Sequence, residues 1–75
     1  SYTESLRAEL RDTENAMANL VRALEAGIFN DATRTRMEEL DEQKRALSAS
    51  LAAARLKQDL GLKVEFFYAD MLYRL

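Results

Sequence analysis

A chain of 75 residues is one small domain or part of one, and a core of this size supplies only about 3–5 kcal/mol without a metal, a disulfide or a partner chain. It has no cysteine and no histidine, which excludes disulfides, thiolate chemistry and the usual zinc ligands within these residues. Eleven basic residues against thirteen acidic ones, with a net charge of −2, lack the basic stripe of a free-standing nucleic-acid binder. No apolar run approaches the roughly 20 residues of a membrane span, and no signal-peptide pattern opens the chain. A cytoplasmic location is expected. Ser1 in place of methionine agrees with an excised piece, so the expectation is self-association or a fragment of a larger protein.

Taken in order, the chain has no proline, and its only glycines are Gly27 and Gly61. Glycine ends helices because it enters the left-handed region without steric cost. The two glycines therefore predict three helical segments. In the first, over about residues 2–26, Leu6, Leu10, Thr13, Met17, Leu20 and Leu24 recur at alternating steps of four and three. That is a coiled-coil seam with Thr13 as its one polar interruption. Val21 widens the apolar stripe, while Glu14, Arg22 and Glu25 face outward.

The second segment covers about residues 30–60. Asn30 is placed to cap its first amides, and Asp31 favours the positive end of the helix dipole. Thr33, Met37, Leu40, Lys44, Leu47, Leu51 and Ala54 repeat the four-three spacing, with Lys44 extending its charge out to water. Two such arms joined by a five-residue interruption predict an antiparallel helical hairpin with its tip at residues 27–29. Gly61 is expected to end the second arm. A shorter C-terminal amphipathic helix over 61–75 comes next, with Val64, Phe67, Tyr68, Met71, Leu72 and Leu75 on one face and Phe66 and Tyr73 at its side. A two-helix stem has little spare surface to cover that face, so a partner is expected there. The fold class is all-α.

Chemistry finds few candidates. Glu38, Glu39, Asp41 and Glu42 lie beside the Met37/Leu40 seam, and di-metal bundles would pair such carboxylates with histidine. A solvated face is the expectation. Ser1, Ser5, Ser48 and Ser50 have no histidine to activate them. Arg34, Arg36, Lys44 and Arg45 are interleaved with acids and suit ion pairing within and between helices better than phosphate binding. A DNA-reading leucine zipper needs a dense basic run ahead of its heptads, and residues 1–10 hold only Arg7. No catalytic residue, cofactor or metal site is expected within the chain.

Ile28 and Phe29 are unusual because a solvated turn is normally polar. Two readings stay open for them. They either fold back on Leu24 and Met37 as a local cap or form an exposed apolar tip that docks on another subunit.

The run Asn19-Leu20, Ala23-Leu24-Glu25 and Gly27-Ile28-Phe29, followed by Arg36-Met37-Glu38-Glu39-Leu40, resembles the coiled-coil insertion of large serine recombinases, the serine integrases of the resolvase/invertase superfamily. The insertion lies in the zinc-ribbon DNA-binding region of such proteins, and the segment 64–75 is similar to the helix after it. Asn30-Asp31 stands where relatives often carry a small residue and proline, and Asp41 replaces the more usual glutamate. The resemblance implies a fragment of a serine site-specific DNA recombinase of bacterial or phage origin, its nucleophile domain and zinc cysteines lying outside these residues. It also implies that hairpins of DNA-bound subunits touch one another in synapsis and in the control of integration versus excision. Gly27, Ile28 and Phe29, supported by Leu24 and Met37, would carry that contact. The expected partners are a second copy or other recombinase subunits, reached through the coiled coil and the C-terminal helix, with DNA bound only by other domains. The alternative is a generic coiled-coil assembly domain with no DNA chemistry nearby.

Overall fold

The structure, a computed structural model, describes residues 1–74; the part of the C-terminal face assigned to Leu75 lies outside them. Among these residues the fold consists of two helices. α1 spans Tyr2–Glu25 and α2 spans Asp31–Tyr73. They run antiparallel as a hairpin of principal extents 70 × 17 × 16 Å.

The seam of the hairpin is the one its spacing predicts. Leu6, Leu40, Leu47, Leu51 and Thr13 are buried, and Leu10, Met17, Leu20, Leu24, Thr33, Met37 and Ala54 are half-buried. Lys44 alone among the seam positions is exposed, as a charged head on a long apolar stalk requires. Leu6, Leu47 and Leu51 form one packed cluster with Leu10 against it. Leu40 is the most deeply buried side chain, at 2% exposure.

The polar interruption is satisfied across the seam. The Thr13 hydroxyl donates to the Glu9 carbonyl at 2.9 Å and accepts from the Gln43 side-chain amide at 2.9 Å. Among the described residues no buried side-chain polar atom lacks a partner. The Thr13–Gln43 bond also fixes the register. With residue 13 level with residue 43, the start of α1 at Tyr2 is level with Ala54.

Among the described residues the expected third helix is not a separate element. α2 continues through Gly61 to Tyr73 for 43 residues, about 64 Å at about 1.5 Å per residue, against 24 residues in α1. The reason lies in the residues after each glycine. Gly27 adopts φ +89° and is succeeded by Asn30, which can cap a new helix. Gly61 is succeeded by Leu-Lys-Val-Glu, which offers no capping side chain, so a break there would leave the next helix start unsatisfied. An interior glycine costs a helix only about 1 kcal/mol, and continuing through it is the cheaper outcome. Residues from about 55 onward therefore project past the start of α1 as a single-helix overhang of roughly 28 Å.

Candidate protein interaction site

The hairpin tip is held by backbone hydrogen bonds on its α1 side and by side-chain caps on its α2 side. Ala26 closes α1, and the amide of Gly27 donates to the Leu24 carbonyl at 3.0 Å while that of Ile28 donates to the Ala23 carbonyl at 2.9 Å. This pair of bonds, closed around a left-handed glycine, is the Schellman helix ending. The Phe29 amide then donates to the Gly27 carbonyl at 3.1 Å. Asn30 restarts the chain in extended conformation, its Oδ1 accepting from the Thr33 amide at 3.0 Å while its own amide donates to Thr33 Oγ1 at 2.9 Å. Both helix ends at the turn are thus tied down, and an Asp31–Arg34 ion pair at 3.1 Å flanks the new start.

On this backbone the two apolar side chains of the turn are largely open to water. Ile28 is 53% exposed and Phe29 71%. Leu24, level with Thr33 in the last layer of the seam, and Met37, one layer further down beside Leu20, are half-buried. With both side chains more than half exposed, the turn presents apolar surface at the end of the stem.

The second surface is the overhang. Val64, Phe67, Tyr68, Met71 and Leu72 are all exposed, as are Phe66 and Tyr73. A shallow groove on one face of α2 is lined by Leu60, Lys63, Val64, Phe67, Tyr68 and Met71. Leu60 and Lys63 escape a reading that ends the arm at Gly61. The signal that finds them is the unbroken four-three-four spacing of Leu60, Val64, Phe67 and Met71 across that glycine.

The acidic side chains beside the seam are exposed, with Arg36–Glu39 and Arg45–Glu42 ion pairs at 3.2 and 3.4 Å. On a solvated helix such pairs contribute a few tenths of a kcal/mol. Among the described residues no group of three or more metal-ligating side chains is placed to hold an ion. No helix among them is long and apolar enough to cross a membrane. No protein-family model, curated protein or solved structure matches the chain.

Proposed function

We propose that the chain is the coiled-coil subunit-contact module of a serine site-specific DNA recombinase, with Ile28 and Phe29 as the contact at its far end. The observation that carries this reading is an apolar pair held exposed, by caps on both sides, at the tip of a stem about 36 Å long. A turn whose only task was to reverse the chain would place polar residues there. The sequence likeness over residues 19–40 supplies the kind of protein.

In this reading the seam acts as a rigid arm. Thr13–Gln43 sets its register, and the caps fix the direction in which the tip points. The arm carries Ile28 and Phe29 away from the DNA-bound part of the subunit to meet another subunit during synapsis. In this reading the chain serves as a contact arm, and the serine nucleophile and the zinc ligands of the recombinase belong to other domains. The setting is the cytoplasm of a bacterial or phage-infected cell.

The overhang favours a second reading, in which the chain is a coiled-coil assembly domain unconnected with DNA. The gene separates the two: an upstream serine-recombinase domain and flanking zinc-ligand cysteines belong only to the first. The direct test is the double variant Ile28→Asp with Phe29→Asp in the full-length protein. DNA binding and helix content stay near wild type, while recombination between two attachment sites falls by about tenfold or more, as expected when the centre of a contact is lost. Unchanged recombination would overturn the proposal.

A further inference from the structure

The overhang carries an apolar line with a property of its own. Leu60, Val64, Phe67 and Met71 are separated by steps of four, three and four, a spacing that reads identically from either end. It does not continue the stem seam. From Leu51 to Phe67 is sixteen residues, which at about 100° each leaves the line about 160° around the helix from the seam. The groove therefore faces away from α1, and α1 cannot cover it.

We infer that this groove pairs antiparallel with the same groove of a second copy, about a two-fold axis near residues 65 and 66. Only that register matches all four positions, bringing Leu60 against the partner's Met71 and Val64 against the partner's Phe67. Charge complementarity selects the direction. Lys63 and Asp70 each precede an apolar position of the line and lie seven residues apart, on the same flank of the helix. Reversal of the second copy sets Lys63 beside the partner's Asp70, and Asp70 beside the partner's Lys63. A parallel pair places Tyr68 of the partner opposite Lys63 and forms neither ion pair.

Asp70, at 51% side-chain exposure, is held in place by Arg74 at 3.4 Å. At each end Lys57 comes level with the partner's Arg74, and both are long enough to direct their charges to water. Because the grooves face away from the stems, the partner's helix passes on the side of α2 opposite α1, and the two tips end up at opposite ends of the dimer. Leu62, Phe66 and Tyr73 lie toward the side of α2 that carries the stem seam and take no part in this contact. The inference goes beyond the proposed tip contact, stands independently of it, and names the occupant of the second surface.

The test uses the 75-residue chain, which contains no cysteine or histidine to complicate association. Sedimentation equilibrium of the wild type is expected to give twice the 8.6 kDa chain mass. Lys63→Glu alone and Asp70→Lys alone each weaken the dimer by about tenfold or more, through like charges set face to face. An equimolar mixture of the two variants recovers it as a heterodimer, with helix content by circular dichroism checking that each variant is folded. Ile28→Asp with Phe29→Asp leaves the dimer intact. A wild-type chain that stays monomeric at several hundred micromolar overturns the inference. So does a mixture that fails to recover dimer, or association lost in the tip variant while the charge variants have no effect. That last result would leave the tip reading standing, whereas a dimer of this register combined with normal recombination by the tip variant would sink the tip reading alone.

Discussion

The two glycines make opposite predictions because their backbones differ. Gly27 sits at φ +89° with open space around it, so the cost of a side chain there is conformational and not steric. Gly27→Ala is expected to destabilise the hairpin by about 1–2 kcal/mol. Gly61 lies inside α2 with nothing within 4 Å of an added Cβ, and Gly61→Ala is expected to raise helix content and add about 0.5–1 kcal/mol. Thermal unfolding followed by circular dichroism reads both, and equal effects would refute the distinction. Leu40→Ala is more severe. At 2% exposure the side chain is worth about 2–5 kcal/mol, most of the stability of a stem this small, so the variant is expected to be largely unfolded at 25 °C. Thr13→Val is expected to stay within about 1 kcal/mol of wild type, because Gln43 is exposed and its amide recovers a water partner.

At the scale of the elements, the hairpin is legible in the sequence because each local signal agrees with the next. The four-three spacing names the seam residues, Gly27 ends the first helix, and Asn30 and Thr33 restart the second. Thr13 stands out as a polar residue in an apolar line, but its partner does not. Gln43 becomes visible only once the two arms are set in register. Gly61 misleads because the identity of one residue outweighs its context. A helix boundary needs a stop and a restart, and the residues after Gly61 offer no restart. A separate amphipathic helix over 61–75 draws the eye to Leu72 and away from Leu60 and Lys63, which line the groove. At the tip, composition alone does not decide between a folded-back and an exposed Ile28–Phe29 pair. The structure adds the form of the turn, a Schellman ending closed by the bond from the Ile28 amide to the Ala23 carbonyl, in which both side chains are more than half exposed.

On the scale of the whole molecule, the unequal helices separate two contacts in space. One end presents a small apolar tip on a paired stem, and the other presents an unpaired helix with an apolar groove. A paired stem resists bending far better than a lone helix, so the overhang is expected to be the first part to lose order. Hydrogen exchange is expected to show amides of residues 56–73 exchanging well ahead of those around Leu40 and Leu47 in dilute monomer, and to slow once the overhang pairs. Uniform protection along α2 at all concentrations would contradict this.

The tip and its proposed role depend on the chain reversing between Gly27 and Asn30, and a distance across the stem tests that directly. Ser5 and Ala49, both exposed, are nearly level in the register set by Thr13 and Gln43. Spin labels on Ser5→Cys and Ala49→Cys in one chain, diluted into unlabelled protein, are expected to lie within about 20 Å of each other, since packed helices are about 8–10 Å apart. A separation near 66 Å, the span of an unbroken helix at about 1.5 Å per residue, would contradict the hairpin and leave Ile28 and Phe29 with no tip to occupy.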